Sequence, residues 1–177
     1  MSAVREEWPD QQVQDAVDVV VSAARGSGRS GGRLIAHARA AGGYLGVVTL
    51  SPVPWSPVPW SPVPWSPVSR WALVVLVTPV AGVPTPMTLH TVIPIDRTEY
   101  FAQGAGWWPQ PGMPHWCWAV GRLGDAPETG HARARVGEQV SAVEISPDGW
   151  FAHLATQPYP SAAVEVEVSE HDGWRGL

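Results

Sequence analysis

Leu34-Ile35-Ala36-His37-Ala38-Arg39-Ala40-Ala41-Gly42-Gly43 is the stretch on which the fold class turns. It reads as a short helix over 34–41 that stops at the two glycines. A first helix precedes it over 10–25. There Val13, Ala16, Val17, Val20 and Ala24 recur at helical spacing, with Gln14, Asp15, Asp18 and Arg25 on the other face. Pro9 suits the first turn of that helix and Gly26 its end. Between the two, Gly-Ser-Gly-Arg-Ser-Gly-Gly-Arg at 26–33 has the composition of a flexible linker, and 44–50 reads as a strand or an extended lead-in.

Downstream the pattern changes to strands. Candidates are 71–80, 87–95, 115–121, 131–136, 140–146, 150–156 and 162–169. The last is the clearest, because Val164, Val166 and Val168 alternate with Glu165, Glu167 and Ser169 as a half-buried strand requires. Random reading frames rarely alternate in this way. Ser146-Pro147-Asp148-Gly149 is a good hairpin connection, since Pro presets one turn position and Gly takes the left-handed one. The surrounding phrase Ile145-Ser-Pro-Asp-Gly-Trp-Phe-Ala152 resembles the strand–turn–strand phrase of β-propeller blades. It occurs once, and seven strands cannot make a propeller of four-stranded blades, so it is read as a hairpin. Short connections make the sheet mainly antiparallel. The expected class is α+β: short N-terminal helices, a Pro/Trp-rich extended spacer and a sheet of about five to seven strands. The expected organisation is a helical region over 1–50, the spacer over 51–68 and a β-rich domain over 69–177.

The spacer is a repeat. Ser-Pro-Val-Pro-Trp occurs at 51–55, 56–60 and 61–65, followed by Ser66-Pro67-Val68. Seven prolines in these 18 residues forbid a helix and a central strand. Polyproline II is the expected state, spanning about 56 Å at about 3.1 Å per residue. Its period of three against a repeat of five turns Trp55, Trp60 and Trp65 away from a single flat face. Two roles suit the segment: a stiff spacer, or a docking site for a protein partner. Pro54-Trp-Ser-Pro57, Pro59-Trp-Ser-Pro62 and Pro64-Trp-Ser-Pro67 each fit PxxP.

The 177 residues include no Lys and no Asn, but 11 Trp and 19 Pro. That bias is what a very GC-rich coding sequence favours, so a high-GC bacterium, or a plasmid or phage of one, is the expected source. A single Cys rules out a disulfide scaffold and a Cys-rich zinc module. No apolar run reaches about 18 residues, so no membrane-spanning helix is expected. The first residues show neither a basic n-region nor an apolar core, which makes the cytoplasm the default location.

The net charge of −5 conceals a segregation. Residues 1–18 hold one Arg and five acids, 19–95 hold five Arg and no acid, and 96–177 hold five Arg and eleven acids. The middle block could attract anions or nucleic acid through Arg25, Arg29, Arg33 and Arg39, or simply pair with the acidic C-terminal block. Overall acidity argues against nucleic acid.

Complete catalytic sets are scarce. Gly26-Ser27-Gly28-Arg29-Ser30-Gly31 fits the dinucleotide pattern GxGxxG, but a helix rather than a strand precedes it, and no acid follows before Asp96. A linker explains the glycines better, and no cofactor is expected. The six histidines lack paired spacing, so no metal site is assigned. Gln110-Pro-Gly-Met-Pro-His115-Trp-Cys117-Trp-Ala-Val resembles papain-like cysteine peptidases, which carry a Gln shortly before a Cys-Trp-Ala run. Gly130-His131-Ala-Arg-Ala-Arg-Val136-Gly is similar to the strand bearing that family's histidine. The resemblance covers fewer than 30 residues and implies Cys117 as nucleophile and His131 as base. The competing reading makes Cys117 a small buried hydrophobe on a strand.

Aromatic residues supply the remaining candidates. Trp107 and Trp108 fall in a loop-like stretch, where rings serve binding surfaces as readily as cores. The leading expectation is a small accessory protein that binds through Trp55, Trp60, Trp65, Trp107 and Trp108 rather than catalysing a reaction. A cysteine hydrolase and a weak anion binder stand as alternatives.

Overall fold

Residues 34–40 do not form a helix. In the computed structural model, Arg29–Ala40 is a strand, β1, paired antiparallel with β2, Gly43–Pro52. The structure describes residues 14–15, 17–18, 29–40, 43–52, 71–80, 83–91, 99–107, 115–124, 131–157 and 163–177. Ala36, Ala38 and Ala40 pack toward the core while His37 and Arg39 are exposed, the period of two that a strand imposes. Ile35 is an extra residue in the ladder, between the pairs Leu34–Val48 and Ala36–Val47. Alanine's helical preference over ordinary residues is worth at most about 0.7 kcal/mol each. Ladder hydrogen bonds and burial against the neighbouring strand override it. Ala40 pairs with Gly43, so Gly42-Gly43 marks a reversal between strands and not a helix end.

Nine further strands follow among the described residues: β3 Trp71–Val80, β4 Val83–Thr91, β5 Tyr100–Trp107, β6 His115–Arg122, β7 Ala132–Val136, β8 Gln139–Val143, β9 Trp150–Gln157, β10 Glu165–Glu170 and β11 Gly173–Gly176. They form three sheets, ordered β1-β2-β3-β4, β5-β6-β9 and β11-β10-β7-β8, and every pairing is antiparallel. The α+β class expected from the N-terminal patterns is therefore corrected: the protein is nearly all β, with three antiparallel sheets. Helical backbone among the described residues is confined to 14–15 and 17–18, where the Gln14 amide donates to the Asp18 carboxylate. Val17 of this turn packs on Val48 and Leu34. The rest of the helix expected over 10–25 lies outside the described residues.

The β5-β6-β9 sheet is the middle layer. One side contributes Trp116, Trp118, Val120, Trp150, Ala152 and Leu154 to a core shared with Ala36, Leu45, Val47, Ala72, Val74 and Leu76 of the first sheet. Its other side contributes Cys117, Ala119, Phe151 and Ala155 to a second core, shared with Ala132, Ala134, Val136, Val143, Val166 and Val168 of the third. β6 runs through the centre, with all six residues 116–121 buried. Two large rings seat on glycines. A Cβ on Gly43 would lie 2.5 Å from the Trp116 ring, and one on Gly104 would lie 2.8 Å from the Trp118 ring. These glycines allow the close approach that a side chain would block.

The Ser146–Gly149 connection is a true turn: the Gly149 N–H donates to the Ser146 carbonyl at 2.8 Å, and Gly149 has φ +81°. It does more than join a hairpin. Beyond the single bridge Ile145–Phe151, β8 goes to the third sheet and β9 to the middle one, so the turn is a corner between layers.

Ser51 and Pro52 of the repeat end β2, opposite Ser30 and Arg29 of β1; from Val53 on, the repeat lies outside the described residues. Leu50 of β2 pairs with Trp71 of β3. Opposed Cα atoms in such a ladder are about 4.5–5.5 Å apart. The 53–70 connection thus departs from and returns to neighbouring strands of one sheet. Both flanks of the repeat therefore belong to one sheet.

Candidate functional site

The residues suggested by the peptidase resemblance do not meet. Cys117 is fully buried on β6, its Sγ donating to the Ala155 carbonyl at 3.6 Å. Burial pushes the thiol above its ordinary pKa, and the hydrogen bond to the Ala155 backbone only partly opposes this. A nucleophilic thiol needs the reverse shift. His131 immediately precedes β7 and is exposed, whereas Ala132 and Ala134 face the core that holds Cys117. Alternation along the strand sends the His131 ring to the opposite face. Cys117 is also followed by strand, not by the helix that the resemblance implies.

The arginines of the middle block are engaged individually. Arg33 reaches from β1 to Asp148 in the Ser146–Gly149 turn, Nη2 to Oδ2 at 2.8 Å, so the basic block pairs with the acidic C-terminal one. Both side chains are largely exposed, at 73% and 58%, which makes this a weak tie worth roughly 0–1 kcal/mol. The Arg39 guanidinium lies over the Tyr44 ring at 5.6 Å, beside His37, whose ring stacks on the same tyrosine at 5.7 Å. Arg29 belongs to β1; Arg25 lies outside the described residues. The described arginines do not assemble into one anion cradle.

Of the tryptophans assigned to binding, Trp107 ends β5, paired with His115, which corrects its placement in a loop. Trp55, Trp60, Trp65 and Trp108 lie outside the described residues. Elsewhere Arg133 stacks on Trp174 at 4.1 Å and pairs with Glu167 at 2.5 Å, a cross-strand ladder on the outer side of the third sheet. Among the described residues no three His, Cys, Asp or Glu side chains converge as metal ligands, and no helix is long and apolar enough to cross a membrane.

Sequence reasoning passed over one feature. A cavity of about 330 Å³ is lined by residues 37–39 of β1, 141–144 in and just after β8, and 152–154 of β9. His153 is its buried titratable group. Only 7% exposed, it lies between Phe151 and Ala155 on the side of β9 that faces the third sheet. Its Nε2 has no hydrogen-bond partner among the described residues. Burial holds the imidazole below its ordinary pKa, so it is neutral at neutral pH. The sequence signal was available: a lone histidine at a core-facing position of the Trp-Phe-Ala-His-Leu-Ala-Thr strand, where an apolar residue is expected.

The chain matches no known protein family, no curated protein and no solved structure. Architecture defines it only as a three-sheet, antiparallel all-β protein.

Proposed function

We propose that this is a small cytoplasmic accessory protein that acts by binding, and that its Ser-Pro-Val-Pro-Trp repeat is the contact for a protein partner. The observation that carries the reading is the Leu50–Trp71 pair, which anchors both ends of the repeat on neighbouring strands. The segment so anchored lies between β2 and β3 in the sequence. It supplies three tryptophans and three PxxP steps in one segment, the chemistry used in polyproline recognition. Trp gives a large contact area at low entropy cost. A cytoplasmic location is in keeping with a lone, buried free thiol.

The test replaces Trp55, Trp60 and Trp65 together by Ala, preserving length and every proline. Wild type and variant are titrated against a panel of polyproline-recognising domains, with thermal unfolding as the control. At least one domain should bind the wild type and lose affinity by tenfold or more, about 1.4 kcal/mol, against the variant. Equal affinities in both proteins, or no binding to any domain in the panel, would remove the reading.

A further inference from the structure

Both faces of β3 are buried. Ala72, Val74 and Leu76 enter the first core, while Leu73, Val75 and Val77 lie on the opposite, outer side of the first sheet and are at most 6% exposed. β2 behaves alike: Leu45 and Val47 face the core, and Tyr44, Gly46 and Val48 are buried on the outer side. The register sets these six outer residues in three cross-strand pairs, Tyr44–Val77, Gly46–Val75 and Val48–Leu73. A sheet face left to water carries polar residues; a face that is apolar and buried throughout has a further layer over it.

Among the described residues, that layer is represented by Val17. Its side chain is buried against Val48 and Leu34, and one of its methyls lies 3.7 Å from where a Cβ on Gly46 would stand. Gln14, Asp15 and Asp18 are exposed, so this turn has a sheet side and a water side. Val17 belongs to the stripe Val13, Ala16, Val17, Val20 and Ala24, whose spacing suits one face of a helix. A helix is about 10 Å across and neighbouring strands are about 4.8 Å apart. A helix seated on Val48 and Gly46 therefore also covers their partners on β3, Leu73 and Val75. Charge favours the same match. Residues 1–18 hold five acids and one Arg, whereas the four strands of the first sheet hold Arg29, Arg33 and Arg39 and no acid.

We propose that the outer face of β2 and β3 is a receptor for an acidic amphipathic helix, occupied in cis by residues 10–25 through Val17. Gly46 is the notch in that face, since a side chain there would meet Leu34 and then Val17. The receptor shares no residue with the Ser-Pro-Val-Pro-Trp repeat, so either proposal can fail alone.

The test uses the full chain and a fluorescein-labelled peptide of residues 8–26. Val17→Asp in the full chain puts a charge on the buried contact and displaces the cis segment, while thermal unfolding of the sheets stays cooperative. The peptide should then bind Val17→Asp saturably, and about tenfold or more tighter than wild type, whose receptor is already filled. A peptide that itself carries Val17→Asp should bind neither chain. Methyl–methyl NOEs in the wild-type chain, from Val13 or Val20 to Leu73 or Val75, are expected as a second readout that does not depend on how the variant folds. The proposal is overturned by equal peptide affinity for both chains, by no binding to a cooperatively folded Val17→Asp chain, by undiminished binding of the Val17→Asp peptide, or by absence of those NOEs.

Discussion

The two cores on either side of the middle sheet are built differently. Between the first and middle sheets, Trp116, Trp118 and Trp150 fill the space against Ala36, Ala72, Leu45 and Val47, with Trp116 seated on Gly43. Between the middle and third sheets, Val136, Val143, Val164, Val166 and Val168 meet alanines, Leu123 and the Phe151 ring, with Phe101 packed alongside. The first core is a few large shapes fitted to small ones; the second is many medium ones of similar size. Interiors pack to nearly crystalline density by either route. A core of the first kind responds to shape at single positions, and one of the second kind to total volume. Adjacent residues of β9 sample both, since Trp150 enters the first core and Phe151 the second.

The largest effect expected is from Trp150→Ala or Phe151→Ala, each costing about 3–5 kcal/mol in denaturant unfolding. They separate on partial refilling. An enlarged alanine opposite, Ala134→Val, should recover part of the Phe151→Ala loss, because a core of similar-sized residues can redistribute volume. No single enlargement should restore Trp150→Ala. Equal recovery on both sides would erase the distinction.

Gly43→Ala comes next. Its Cβ would approach the Trp116 ring to 2.5 Å, and overpacking of this kind costs about 1–3 kcal/mol. The cost should shrink in a Trp116→Leu background, as read by a double-mutant cycle. An undiminished penalty would show that Gly43 is needed for the β1–β2 reversal and not for the ring.

The smallest effect concerns acid. His153 belongs to the second side alone, and burial lowers its pKa in the folded state. An unfolded chain then takes up a proton near the ordinary value of 6.5, while the folded chain does not until lower pH. Stability is therefore full above about pH 6.5 and declines as pH falls from there toward the folded pKa. His153→Gln should flatten that decline in unfolding measured between pH 7.5 and pH 5. An identical slope in the variant would assign the acid sensitivity to other groups.

Strands carrying large or branched apolar residues were legible. β3 opens with a continuous apolar run over 71–77, β10 alternates Val with polar residues, and β6 and β9 are rich in aromatic residues. β1 and β5 were not legible, for a common reason. Both carry Ala and Gly where other strands carry Val or Trp, because their partners bring the bulk: Trp118 over Gly104, and the tryptophan core over Ala36. In β1 the period of two is present, Ala36, Ala38 and Ala40 against His37 and Arg39, but alanine contrasts weakly with polar neighbours and favours helix when read alone. β11, Gly-Trp-Arg-Gly, is too short to show any period.

The candidate sites divide in the same way. Trp55, Trp60 and Trp65 were evident from their spacing, whereas Val17, Gly46 and Val75 lie in separate segments and meet only when the first sheet is assembled. Cys117 and His131, a plausible pair in a linear reading, fall on opposite sides of a sheet.

Local chemistry was enough to set the Ser146–Gly149 turn, the valine and tryptophan strands and the charge segregation. Those features depend on φ restriction, side-chain branching and composition, which act within a few residues. Helix or strand for 34–40, the pinning of both ends of the repeat at Leu50–Trp71, the layering of the three sheets and the cavity at their edges were decided by long-range pairing. Small residues take their conformation from the bulk packed against them, and that bulk comes from segments distant in the chain.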